Sequence, residues 1–196
     1  MSDTRYVISR FNHDTAWTKD YTDNYVIYDR SEVPVDGAIV VPNIGTDWYD
    51  KLGWIIENYD NLPDVALLTK CNIFKYITPE EFELIKDNKT FTPILTQNHK
   101  VYEPICRYVD GMYEERNNMW YLRAHPTKIE PLILAKFLGI ADKEYIQFAP
   151  GSSYIVPKET ILKHPKEDYE YLRSLLWGVY CGEAQIIERG IYNWWK

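Results

Sequence analysis

The chain has 196 residues, with 22 Lys and Arg against 29 Asp and Glu, a formal charge of −7 and a hydrophobic share of 45%. This suits one folded domain spanning residues 1–196, with a core that needs no staples, and it excludes wholesale disorder. No run approaches the roughly 20 apolar residues of a membrane span, no basic-then-apolar leader opens the chain, and the acidic balance disfavours nonspecific nucleic-acid binding without excluding a local basic groove.

The first half alternates strand and helix signals. Tyr6 to Phe11 (YVISRF) is a β-rich run, and Asn12-His13-Asp14 supplies turn and N-cap chemistry before Trp17. Tyr25 to Tyr28 (YVIY) and Ala38 to Val41 (AIVV) read as the second and third strands. From Asp47 to Tyr59, Trp48, Leu52, Ile55, Ile56 and Tyr59 share one helical face. Val65 to Leu68 is a buried fourth strand. Thr78-Pro79-Glu80-Glu81 starts a helix that runs to about Asp87, with Thr as cap, Pro at the first helical position and acids in the first turn.

The second half is less regular. Phe91 to Thr96 is a candidate strand, and Val101 to Glu115 reads as a loop with a short helix. Pro131 to Leu138 is a helix closed by Gly139. Tyr145 to Phe148 and Ser153 to Val156 read as strands around the Pro150-Gly151 turn. Helices follow over Lys158 to Lys163 and Lys166 to Tyr180, with a last helical or mixed segment from Glu183 to Trp195. The order implies an α/β layer with a mixed, mostly parallel sheet flanked by helices, whose carboxyl edge collects ligands. The strand ends at that edge are Arg10 to Asp14, Asp29-Arg30, Asn43 to Asp47 and Thr69 to Asn72.

Three cysteines, Cys71, Cys106 and Cys181, form no CxxC pair. They read as buried reduced thiols of a cytoplasmic protein. Aromatics are the outlier, with 17 Tyr, 7 Trp and 6 Phe. Amphipathic rings stack on sugars or bases, and they also build Tyr- and Trp-rich cores, which is the plainer reading. No P-loop, dinucleotide fingerprint, zincin or nucleophile-elbow motif is present.

Three stretches carry a family resemblance: Ser9 to Trp17 (SRFNHDTAW), Val41 to Leu68 (with VPNIGTDWYDKLGW and NYDNLPD), and Phe148 to Leu172 followed by GEAQIIERGIYNWW. Together they resemble a family of uncharacterised function grouped with glycosyltransferase-A-like folds. A looser similarity links them to rhamnan-synthesis-type glycosyltransferases. The resemblance implies a glycosyltransferase-A-like (nucleotide-diphospho-sugar transferase-like) fold and a nucleotide-sugar donor. It also implies Mg or Mn held on the diphosphate by an Asp-x-Asp triplet. That triplet is missing, and Lys70-Cys71-Asn72 stands in its place. Thr46 stands where the family has Arg, and His13 where it has an acid.

The expected donor site comprises Arg10, Asn12, Asp14, Asp29, Asn43, Gly45, Lys70 and Asn72, with Lys70 able to neutralise phosphate directly. Ser152 and Tyr154 are the candidate acceptor-binding residues. Glu183 is the candidate general base, and Asp47 a second candidate catalytic carboxylate. Their plainer alternatives are a solvated first-turn acid for Glu183 and a helix cap for Asp47. Glu188 with Arg189 reads as a structural ion pair. The implied reaction moves a sugar to an acceptor hydroxyl on a glycan, protein, small molecule or modified nucleobase in DNA. The alternative is a noncatalytic nucleotide- or sugar-binding module. A second subunit could complete the acceptor site.

Overall fold

A computed structural model describes residues 3–96, 99 and 105–196. In chain order the elements are β1 (Thr4–Arg10), α1 (Thr18–Tyr21), β2 (Tyr25–Asp29), β3 (Ile39–Val40), α2 (Trp48–Asn58), β4 (Val65–Lys70), α3 (Pro79–Ile85) and β5 (Thr92–Pro93). They continue with β6 (Cys106–Val109), β7 (Met112–Arg116), α4 (Pro131–Phe137), β8 (Tyr145–Gln147), β9 (Tyr154–Pro157), α5 (Lys158–Ile161), α6 (Lys166–Ser174) and α7 (Gly182–Trp195).

Six strands form a mostly parallel sheet in the order β3-β2-β1-β4-β9-β5, flanked by helices and compatible with a Rossmann-like fold. The β1, β2, β3 and β4 pairings are parallel, while β9 runs antiparallel to both β4 and β5. The chain steps outward from β1 to β2 and β3, and α2 then carries it back to the other side of β1. A crevice therefore opens between the carboxyl ends of β1 and β4, where the winding direction reverses.

Period-two alternation sorts the strand side chains onto two buried faces. Val7, Tyr28, Ala66, Leu68, Tyr154 and Val156 meet α2, α6 and α7. Tyr6, Ile8, Ile27, Val65, Leu67 and Ile155 meet Ile73, Ile77 and Phe82 on the other side. Most rings serve these cores. Trp48 and Trp195 are fully buried, and the Trp17, Tyr21, Phe74 and Phe82 rings pack edge to face or tilted at centroid distances of 5.1–6.4 Å. All three cysteines are buried and free. Among the described residues no helix is long and apolar enough to cross a membrane.

The α3 start forms as its residues dictate. Thr78 Oγ1 accepts from the Glu81 amide, and the Glu81 carboxylate accepts from the Thr78 amide in return. Two readings need correction. Residues 106–116 form the β6–β7 hairpin rather than a loop with a helix, and residues 101–104 lie outside the described residues. The two strands around the Pro150-Gly151 turn form as expected and go to different sheets: β8 joins the hairpin in a separate three-stranded sheet, and β9 joins the main one. The expected helix to Tyr180 stops at Ser174. Tertiary bonds take the chain out of helix there: the Gly178 carbonyl accepts from the Gly45 amide at 2.8 Å, and the Trp177 indole donates to Glu183 at 2.9 Å.

The small sheet is tied to α7 by a buried ion pair, with Arg189 Nε donating to Glu115 Oε1 at 2.6 Å. Tyr121 and Phe148 flank the guanidinium. Glu115→Ala would strand this charge and is expected to cost about 3–5 kcal/mol of stability. Urea unfolding checks this, and a wild-type midpoint contradicts it.

Candidate active site at the sheet switch point

A groove of about 220 Å³ lies in the crevice between the ends of β1 and β4. Ser9, Arg10, Phe11 and His13 come from β1 and the loop after it, Arg30 from the end of β2, and Asn43, Thr46 and Asp47 from the entry to α2. Lys70, Cys71 and Asn72 come from the end of β4, and Val179 and Tyr180 from the segment between α6 and α7. Five expected residues therefore meet here: Arg10, Asn43, Asp47, Lys70 and Asn72. Four roomier grooves, of about 410–420 Å³, lie elsewhere: one beside β2–β3, one between α3 and the β6–β7 hairpin, and two more around Lys158 and around Lys143. In the first, polar groups already pair with one another, as Arg5 does with Asn24 and Tyr28 with Glu57. The second is lined mostly by apolar groups. The smaller groove is the candidate site because it combines the switch-point position with charged side chains.

Asp47 organises its floor. Register places Lys70 beside Ser9, level with the end of β1. Asp47 Oδ2 accepts from Lys51 Nζ at 2.5 Å, and Oδ1 lies 3.3 Å from Lys70 Nζ. Lys51 is fully buried and also donates to the Ser152 carbonyl. Burial alone would raise the Asp47 carboxyl, but the charges of Lys51 and Lys70 outweigh it and hold the group at about 2. Burial lowers Lys51, against the pull of Asp47. For Lys70 the lowering by burial is overcome by the negative charges of Asp47 and Glu188, and its ammonium is raised. Asp47 occupies the cap position of α2, yet its side chain makes no capping bond.

A second pair lies alongside. Arg30 Nη2 donates to the buried Asp50 carboxylate. Burial raises Asp50 to about 6, with the Arg30 charge only partly offsetting it. Among the described residues, Arg30 Nε and Asn72 Oδ1 are buried with no hydrogen-bond partner. Backbone strain gathers around this floor, because Asn12, Thr46 and Ser152 all hold positive φ, at 56°, 53° and 61°. For β-branched Thr46 this is a genuine outlier. Gly45 has φ +61°, and a Cβ there would meet Leu176 at 2.6 Å, so only glycine fits where the α2 entry meets the Leu176–Tyr180 segment.

The remaining expected residues have structural roles. Asp29 is buried and accepts from the Ser31 and Val35 amides and from Arg10 at 2.6 Å, bonds that outweigh burial and lower its carboxyl. Asn12 donates its backbone amide to Ser31 Oγ, and Asp14 accepts from the Ala16 amide; both are exposed. Ser152 and Tyr154 are buried, with Tyr154 hydroxyl accepting from the Ala149 amide, and neither lines the groove. Glu183 is not a solvated acid. It is fully buried and accepts from the Lys128 and Ile129 amides and from Trp177, outside the groove. The expected Glu188–Arg189 ion pair is present at 3.7 Å, but Arg189 has Glu115 as its closer partner, and Glu188 also accepts from the Gly151 amide and Ser152 Oγ.

The strand-end ranges held Phe11 and Arg30 without giving either a role, and sequence reasoning passed over Lys51, Val179 and Tyr180. A visible signal for Lys51 was its place four residues after Asp47 on a helix with Leu52 and Ile55 inward. Tyr180 had been assigned to a helix. Phe11 and Tyr180 are 45% and 68% exposed at the groove. His13 Nδ1 lies 2.6 Å from the Phe11 carbonyl, so it carries the proton and leaves the Nε2 lone pair outward, 3.3 Å from Lys75 Nζ.

No family model, curated protein or solved structure matches this chain. The functional reading therefore rests on the groove and its residues.

The two carboxylates make opposite contributions to acid stability. Asp50, raised from 3.8 to about 6, adds stability as pH falls from about 6 to 4. Asp47, lowered from 3.8 to about 2, contributes stability that is complete above its unfolded value and lost as pH falls through 2. That loss amounts to about 2 kcal/mol. Asp47→Asn is expected to be less stable at neutral pH, because Lys51 loses its counter-charge, and to have a shallower fall between pH 4 and 2. Denaturant melts across pH check this, and an unchanged acid limb contradicts it.

Proposed function

We propose that this groove binds a nucleotide sugar and that the chain is a glycosyltransferase of glycosyltransferase-A-like architecture. The observation that carries the reading is the pairing of unlike surfaces in one crevice. Lys70 and Arg30 supply positive charge on the floor, and Phe11 and Tyr180 supply exposed rings. A nucleotide is a ligand that combines phosphate charge with a flat aromatic base. The groove's 220 Å³ falls below the roughly 300–1,000 Å³ of whole-ligand clefts, so it suits the phosphate and ribose, with base and sugar along the open walls.

In this reading the acceptor oxygen attacks the anomeric carbon while the bond to the diphosphate breaks. Lys70 stabilises the charge that builds on the leaving diphosphate. The acceptor proton needs a base. Glu183 is sealed away, and Asp47 is a weak base while two ammonium groups hold it ionised. The base in this reading is His13, a lining imidazole whose Nε2 faces Lys75 Nζ at 3.3 Å and takes the acceptor proton once that contact opens. One observation favours the noncatalytic module instead: among the described residues Asp47 is the one carboxylate lining the groove, and it is committed to two lysines.

Thermal shift against UDP-, GDP-, CMP- and dTDP-sugars tests binding. One donor class is expected to raise the melting temperature, and Tyr180→Ala to weaken its affinity about tenfold through lost stacking. No shift with any donor overturns the nucleotide reading. Turnover separates enzyme from module: His13→Gln is expected to slow release of nucleoside diphosphate by about a hundredfold, with donor affinity held within about threefold. A donor that binds and is never cleaved favours the module.

A further inference from the structure

We propose that Lys70 grips the diphosphate of the bound nucleotide directly, so that this chain takes nucleoside diphosphates without a divalent ion. The inference rests on the nucleotide reading of the groove and names how its most charged part is held. The resemblance implies Mg or Mn at the end of the fourth strand, and the residues there do not suit either ion. Mg and Mn take hard oxygen ligands, mostly carboxylates with open lone pairs. The groove's one lining carboxylate among the described residues, Asp47, has one oxygen 2.5 Å from the Lys51 ammonium and the other 3.3 Å from that of Lys70. A dication seated on Asp47 would face both positive charges at close range. Asn72 Oδ1 is a single neutral oxygen and cannot replace a carboxylate pair.

Lys70 answers the same electrostatic need. Its side chain is 26% exposed, so it reaches both the floor and the open groove. An ammonium has three donors, and its ion-pair contact to Asp47 is long. Lys51 is the closer partner of Asp47, at 2.5 Å against 3.3 Å, which leaves Lys70 the less tightly held ammonium and the one that faces a ligand. Arg30 lies at the end of β2, its Nη2 paired with Asp50 and its Nε, among the described residues, buried without a partner. A phosphate is an acceptor without donors when fully ionised, and it complements this set of spare N–H groups.

The test is calorimetric titration of the full chain with UDP, GDP, CDP and dTDP, each in excess EDTA and again with Mg²⁺. At least one diphosphate is expected to bind in EDTA with a Kd within about threefold of its Mg²⁺ value. Lys70→Met, which leaves the Asp47–Lys51 pair in place, is expected to weaken that binding by about tenfold or more, and Lys70→Arg to keep most of it. Far-UV circular dichroism and the urea midpoint establish that the variants fold. If Lys70→Met does not fold, the EDTA comparison on the wild type still tests binding without a divalent ion, and Lys70→Gln tests the ammonium. Binding that appears only with Mg²⁺, or that survives Lys70→Met unchanged, overturns the role of Lys70 and leaves the nucleotide reading standing. Absence of diphosphate binding in both buffers overturns both.

Discussion

At the carboxyl end of the sheet, one buried carboxylate holds two lysines from different elements. Asp47 enters the core at the first turn of α2, takes Lys51 from the next turn and draws Lys70 from the end of β4. Lys51 then reaches the Ser152 carbonyl, whose hydroxyl in turn donates to Glu188 on α7. Through this chain of bonds the crossover helix, the central strand, the turn before β9 and the last helix share one polar network. Charged groups at this depth are destabilising unless each has its partners. The arrangement therefore fixes how these elements meet, as well as the charge of the groove above them.

The rim is built by a second set of constraints. Gly45 packs on Leu176 and donates to Gly178, which ties the α2 entry to the segment before α7. Glu183 pins the same segment through Trp177 and reaches across to the 128–129 backbone. This carboxylate supports the segment that carries Tyr180 into the groove. Residues in left-handed backbone at Asn12, Thr46 and Ser152 lie in loops around the same floor, as strain held by surrounding packing often does.

Much of the fold was legible because its signals are local. Alternating apolar runs marked β1, β2 and β4, the Asp47–Tyr59 stripe marked α2, and Thr78-Pro79 marked the start of α3. Pairing in the second half was not legible, because only tertiary contacts send β8 and β9 to different sheets. The site was half legible. Strand-end position singled out Arg10, Asn43, Asp47, Lys70 and Asn72 before any contact was known. Glu183 and Tyr154 drew attention by type and neighbourhood, but side-chain direction is set by packing, and packing turned both away from the groove. Tyr180 was missed for the converse reason: its helical spacing with Leu176 concealed a segment that leaves the helix.

The most direct test is a crystal structure of the protein with the nucleoside diphosphate that binds best, grown in EDTA. The account predicts phosphate oxygens within about 3 Å of Lys70 Nζ and the base lying along Tyr180 or Phe11. A nucleotide seated elsewhere, such as between α3 and the β6–β7 hairpin, or one in the groove with its diphosphate turned away from Lys70, would contradict it.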